Sequence, residues 1–194
     1  MSNITTEQIK ELRNRTGISI GQCKNALEEA GGDIEKAIII LSKKGGDIAA
    51  KKAGRELKSG TIASYIHNGG KVGAMVEIAC ETDFVAKNEE FKKLAYDIAM
   101  QVAATNPTFL KREDITEEDQ KKAGEVFAEE VKDKPEEMKE KILKGKLDSY
   151  FKDKVLLEQS FIKDSEKTIK DLIEGAIHKF GEKTEIIKFV YFVV

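Results

Sequence analysis

Apolar residues recur every three or four positions through the first 45 residues, and small polar caps and glycines punctuate them. Thr5 with Gln8 predicts a capping box ahead of Ile9, Leu12 and Thr16, with a stop at Gly17. Ser19 with Gln22 repeats the device before Cys23, Ala26, Leu27 and Ala30, and Gly31 closes that helix. Asp33 predicts the cap of a third helix, in which Ala37, Ile38 and Leu41 keep helical spacing up to Gly45. Helices this short are unstable singly, so their apolar faces must meet in a three-helix bundle over residues 1–46. Residues 47–59 read as a basic, Ala-rich helical connector. Its Lys51, Lys52, Arg55 and Lys58 are solvated while Ile48, Ala49 and Leu57 pack. A lever between modules and a plain solvated linker both fit that pattern.

From Gly60 the period changes from helical to alternating. Thr61–His67 and Lys71–Cys80 read as strands joined at Asn68-Gly69-Gly70, residues that tolerate positive φ and favour a hairpin. Val72, Ala74, Val76, Ile78 and Cys80 alternate with Gly73, Met75, Glu77 and Ala79, which marks one face as core. Phe91, Leu94, Ala95, Ile98 and Val102 predict a helix ending near Asn106-Pro107. The stretch from Thr116 to about Tyr150 is dense in Glu and Lys and is broken by Pro135. Thin apolar stripes flank that proline: Ala123, Val126, Phe127 and Val131 before it, Met138, Ile142, Leu143 and Leu147 after it. They predict an antiparallel helical hairpin at about 113–150. A helix follows over Thr168–Phe180, and Glu185–Val194 reads as a strand that joins the hairpin as a third member. The expected fold is α+β: an N-terminal three-helix bundle, then a core domain over residues 60–194. That core combines a three-stranded antiparallel sheet, packed with helices, and the charged helical hairpin.

Composition narrows the function classes. The 194 residues are 40% hydrophobic, enough for one good core or two small ones. Acidic and basic residues nearly cancel at a net charge of −2, without the basic excess of a protein that wraps nucleic acid. Up to Lys58 there are 11 Lys/Arg against 8 Asp/Glu, and afterwards 22 against 27, so only the N-terminal part is mildly basic. Cys23 and Cys80 are too few for a disulfide framework and read as small buried residues of a reducing compartment. No signal-peptide pattern opens the chain and no apolar run reaches bilayer length, so a soluble cytoplasmic protein without a membrane partner is expected.

Catalytic machinery is not evident. Gly69-Gly70-Lys71-Val72 lacks the upstream glycine and the hydroxyl of a phosphate loop. His67 and His178 have no nucleophile beside them, and with Cys23 and Cys80 they are too scattered to read as zinc ligands. Glu89-Glu90 and Glu117-Glu118 sit where a helix N-terminus favours negative charge. No enzyme, metal or cofactor is expected.

The most informative stretch is Cys80-Glu81-Thr82-Asp83-Phe84-Val85-Ala86-Lys87-Asn88, at the exit of the second strand. A Phe beside an Asp there can be core plus a helix cap. Read with its neighbours, the segment points to a surface wedge. The string resembles the signature of the elongation factor Ts family, and the likeness runs through almost the full chain. Leu12-Arg13-Asn14-Arg15-Thr16-Gly17, Cys23-Lys24-Asn25-Ala26-Leu27 and Gly32-Asp33-Ile34-Glu35-Lys36-Ala37 resemble its ubiquitin-associated-type N-terminal module. Gly45 with Ala49–Gly54 resembles its connector. Leu156-Leu157-Glu158-Gln159-Ser160-Phe161 resembles a second segment, in which Pro is common where Ser160 stands. Ile18–Gln22 departs from the usual Gly/Met/Asp-containing wording.

The resemblance implies a guanine nucleotide exchange factor that makes and breaks no bonds. Its partner would be elongation factor Tu, GDP-bound or nucleotide-free. Thr82, Asp83, Phe84 and Val85 would disturb the partner's Mg²⁺ site, with Phe84 as the wedge and Asp83 positioning it. Arg13, Ile20, Gly21 and Lys24 would grip the same partner. Short members of the family imply a homodimer that buries part of the sheet, since Phe189–Val194 is too apolar for an open edge. The rival reading is a helical adaptor whose N-terminal module binds a peptide or a ubiquitin-like partner.

Overall fold

The computed structural model describes residues 4–132 and 135–194. Three helices open the chain: α1 (Thr6–Thr16), α2 (Ile20–Glu29) and α3 (Ile34–Lys52). Strands β1 (Ser59–His67) and β2 (Val72–Cys80) lead to a single turn of helix, α4 (Asp83–Ala86), and then to α5 (Glu89–Thr105). The helical hairpin consists of α6 (Glu117–Glu130) and α7 (Glu136–Lys154). A two-stranded ribbon, β3 (Ser160–Phe161) and β4 (Asp164–Thr168), precedes α8 (Ile169–Phe180) and the last strand, β5 (Thr184–Val193). The main sheet has the order β1-β2-β5 and is antiparallel, the α+β arrangement that the sequence predicts. Its β1–β2 turn places Asn68, Gly69 and Gly70 at φ of 51°, 64° and 92°, the left-handed values for which those residues are suited.

Two compact units divide these elements. The first comprises Met1–Ala63, Val76–Tyr96 and Asp171–Ile187. Within it, Leu12, Ile18, Cys23, Ala26, Leu27, Ala37 and Leu41 form one buried cluster among α1, α2 and α3. Burying a Leu or Ile side chain contributes about 1.5–3 kcal/mol, which is what holds three short helices together. The local signals agree with that packing. Both halves of the Thr5–Gln8 capping box form, Gly17 ends α1 at φ 71°, and the Asp33 carboxylate accepts from the Lys36 amide at 3.0 Å.

Two local expectations need correction. Ser19 caps α2 by accepting from the Gln22 amide, but the box is not completed through the Ser19 amide: Gln22 Oε1 accepts from the Ser19 hydroxyl at 2.8 Å, while its side-chain nitrogen meets His178 at 2.9 Å. Nor does α3 stop at Gly45. It runs on to Lys52, so residue 46, where the sequence suggested a boundary, lies inside a helix. Gly45 serves a close approach instead: a Cβ there would lie 3.4 Å from the Glu174 carbonyl oxygen of α8.

The second unit comprises Ser64–Met75, Asp97–Lys170 and Lys188–Val194. Its centre is polar as well as apolar. The buried Gln101 side chain donates to Gln159 Oε1 at 3.0 Å and accepts from the Ile162 amide at 2.9 Å. Leu156 and Phe161 are buried beside this pair, so the Leu156–Phe161 segment is core, with Ser160 facing solvent. In the helical hairpin, Phe127 meets Tyr150 edge to face at 5.6 Å. Val126 and Met138 are exposed rather than part of the apolar stripes, which are therefore narrower than their sequence spacing suggested. The β3–β4 ribbon was not foreseen, because its Asp164–Thr168 strand is polar throughout and carries no alternation.

Candidate functional site

All groups of the candidate site lie within the first unit. β2 ends at Cys80, and Thr82 stays extended at φ −126°, ψ 156° before the chain coils into α4. The Thr82 hydroxyl accepts from the Val85 amide at 3.5 Å, and the Ala86 and Lys87 amides donate to the carbonyls of Thr82 and Asp83. This one turn sorts its side chains sharply. Val85 and Ala86 face inward, Val85 only 3% exposed, whereas the Phe84 ring is 80% exposed. An aromatic ring left in water forgoes the burial energy that the same residue would gain in a core.

The Asp83 carboxylate is also outside. Its ion pair with Lys87 at 2.6 Å holds its pKa below the usual carboxylate range. That pair spans the turn from its first residue to its C-cap. A second brace comes from a segment a hundred residues away. Glu182 Oε2 accepts from the Glu81 amide at 3.1 Å and from the Thr82 amide at 3.0 Å. Its other oxygen accepts from the Thr82 hydroxyl at 2.6 Å. In return, Glu81 accepts from the Lys183 amide at 2.6 Å and from the Arg55 guanidinium, and both bonds hold the Glu81 pKa down, the amide most. Segments 81–82 and 182–183 thus exchange carboxylates for each other's backbone amides. Beneath them the Cys80 thiol donates to the Thr82 carbonyl at 3.2 Å, and burial pushes its pKa up.

The second group of candidate residues sits on the bundle. Arg13 is exposed in the last turn of α1. Ile20 opens α2 with 57% of its surface exposed, Gly21 has open space where a Cβ would stand, and Lys24 pairs loosely with Glu28 at 3.7 Å. Ile20 and Lys24 are one helical turn apart and share a side of α2. Helix α8 ties this bundle down. His178 meets Gln22 of α2, and Lys52 of α3 donates to the Gly181 carbonyl just past α8 at 2.6 Å, while Lys179 pairs with Glu90 of α5 at 2.7 Å. Thus the four N-terminal residues form one group on α1–α2, the Thr82–Val85 residues form another on α4, and α8 with its following turn contacts the elements that carry both.

Sequence reasoning missed Glu182, Glu81, Gln22 and His178. The only available signal was Gly181-Glu182-Lys183 as a turn between a helix and a strand, and nothing in it shows which distant amides the carboxylate meets. Among the described residues, no cluster of His, Cys, Asp and Glu could hold a metal ion. No described helix is long and apolar enough to cross a membrane.

Comparison with known proteins supplies the family. The family model described as Elongation factor TS matches residues 3–194. Elongation factor Ts of Thermodesulfovibrio yellowstonii is 52% identical over 192 residues, covering 98% of this chain and 96% of that one. That of Desulforamulus reducens is 49% identical over 192 residues, covering 98% and 88%. That of Fervidobacterium nodosum is 50% identical over 189 residues, covering 96% of each. Since these matches run through the bundle, the exposed Phe84 turn and the final strand alike, the chain belongs to the elongation factor Ts family, a family of translation elongation factors.

Proposed function

We propose that this chain is a guanine nucleotide exchange factor that binds elongation factor Tu in the cytoplasm and promotes release of its GDP. The observation that carries the reading is the Phe84 ring, 80% exposed on a turn whose neighbours Val85 and Ala86 are buried. Phe84 enters the partner's nucleotide domain beside its Mg²⁺. An ion that demands near-octahedral oxygen geometry at about 2.0–2.1 Å loses its hold when its ligands are displaced slightly. Thr82 and Val85 fix the turn from outside and inside, and Asp83 presents a charged acceptor next to the ring. Arg13, Ile20, Gly21 and Lys24 grip the same partner from the bundle.

Linkage sets the size of the task. If the factor weakens GDP binding a thousandfold, GDP weakens binding of the factor equally, a coupling of about 4 kcal/mol. The wedge must therefore favour the empty partner, since equal affinity for both forms would shift nothing. The factor acts as a homodimer. Ile66, Met75, Phe192 and Val193 are exposed on the strands of the second unit, and a second copy covers them.

Release of a fluorescent GDP from elongation factor Tu tests the reading. The intact chain accelerates release, and Phe84→Ala removes most of that acceleration while remaining folded. Unchanged release in the presence of the intact chain would end the proposal.

A further inference from the structure

We propose that Glu182 is a positioning residue for the Phe84 wedge: its carboxylate, bound to the Thr82 hydroxyl and to the amides of Glu81 and Thr82, sets the direction of the turn that carries the ring. The inference rests on the exchange-factor reading above.

An 80% exposed ring has little packed against it, so its direction is fixed by the backbone beneath it. That backbone is held from one side by Val85 and Ala86, which are buried, and from the other by Glu182. The bond from the Thr82 hydroxyl to Glu182, at 2.6 Å, is much shorter than the 3.5 Å cap from the Val85 amide to the same hydroxyl. Charge-assisted bonds of that length are the strong ones, so Glu182 rather than the cap fixes the Thr82 side chain. The Glu81 and Thr82 amides lie past the end of β2, and Glu182 supplies their acceptor. Without it those donors turn to water and the turn gains freedom. A wedge with that freedom binds its partner but enters the pocket less often in a productive pose. The same segment reaches the bundle, since Lys52 donates to the Gly181 carbonyl, so one short turn meets both the α3 helix and the Thr82 turn.

The test measures GDP release from the partner GTPase across concentrations of the factor, separating the maximal rate from the half-saturating concentration. Glu182→Ala lowers the maximal rate about tenfold or more, since small misplacements of a positioned group are costly. The half-saturating concentration changes less than about threefold, because the bundle residues still bind. Glu182→Gln restores most of the maximal rate, as its amide oxygen still accepts from the two backbone N–H groups. Combined with Phe84→Ala, the Glu182→Ala change adds no further loss, the sign that both act through one group. Thr82→Val, which deletes only the hydroxyl, lowers the same maximal rate and carries the test should Glu182→Ala not fold. A normal maximal rate in Glu182→Ala and Thr82→Val, or a loss confined to half-saturation, or losses that multiply in the double variant, would overturn the assignment. Normal release by Phe84→Ala would instead sink the wedge reading itself, whatever Glu182 does.

Discussion

The side-chain amide of Gln22 stands 2.9 Å from Nε2 of His178, joining the second helix of the bundle to α8 through a buried imidazole. With Gln22 donating, the ring is neutral and its proton lies on the buried Nδ1. Burial drives the His178 pKa below its ordinary value of 6.5. The Leu41 carbonyl opposes the shift and the nearby Lys44 charge adds to it.

Stability should therefore fall in mild acid. A histidine with a depressed folded pKa takes up its proton first in the unfolded chain. Its contribution is fully present above about pH 6.5 and is lost as pH falls from there toward the folded pKa. Urea unfolding at pH 7.5 and 5.5 is expected to show a larger loss in the wild type than in His178→Gln. Equal losses would mean that the imidazole titrates alike in both states.

Phe84 and Phe91 offer a contrast within one short segment. Phe91 is fully buried and lies 5.9 Å from the Phe180 ring, edge to face. Phe91→Ala is expected to cost about 3–5 kcal/mol of folding stability. Phe84→Ala should change it by less than about 0.5 kcal/mol, as for an exposed site. Denaturant unfolding of the two variants measures both, and a large loss for Phe84→Ala would return the ring to the core.

That contrast also shows what the sequence could and could not carry. Alternation in the middle of β2, where Ala74, Val76 and Ile78 are buried and Met75 and Glu77 exposed, and the helical spacing of Phe91, Ala95, Ile98 and Val102 reported burial, since packing writes a period into the chain. Gly73 and Ala79, on the face read as outer, are buried too. Phe84 belongs to neither period, and the residues around it admitted both a buried and a protruding ring. The exchange between Glu81, Thr82 and Glu182 was illegible because partners a hundred residues apart leave no local pattern. Gly45 misled for a related reason: a glycine that ends a helix and one that admits a neighbouring helix look alike until the neighbour is placed.

In the second unit, Arg112 grips Glu158 with two bonds, 2.6 Å from Nε and 2.7 Å from an outer nitrogen, and reaches Asp148 at 2.7 Å. These bonds raise its pKa, Glu158 most, so the guanidinium stays charged at any working pH. Arg112 thereby fastens the C-terminal part of α7 to the stretch that precedes α6. Arg112→Ala is expected to cost about 1–2 kcal/mol, less than a fully buried pair because the side chain is 36% exposed. Arg112→Lys should recover little of this, since an ammonium cannot reproduce the two-pronged bond. Thermal unfolding in low and high salt is the measurement, and full recovery by lysine would show that charge alone matters.

Gly60 gives the sharpest packing test. It lies in β1 beside β2, and a Cβ there would stand 2.5 Å from the Ile78 carbonyl oxygen and 3.0 Å from the Ala79 Cα. Both obstacles are backbone atoms, so the strands must part to admit even a methyl group. Gly60→Ala is expected to cost about 1–3 kcal/mol, the range for overpacking in a tight region. Gly54 serves as the control, because a Cβ there meets nothing within 4 Å and its φ is not positive. Gly54→Ala should be neutral or slightly stabilising, by up to about 1 kcal/mol, through the reduced freedom of the unfolded chain. Because β2 ends at Cys80, two residues past Ile78, Gly60→Ala should also speed amide exchange at the Lys58 N–H, which donates to the Cys80 carbonyl at 3.1 Å. Unaltered stability together with unaltered exchange would mean that the two strands do not approach as closely as the Gly60–Ile78 contact requires.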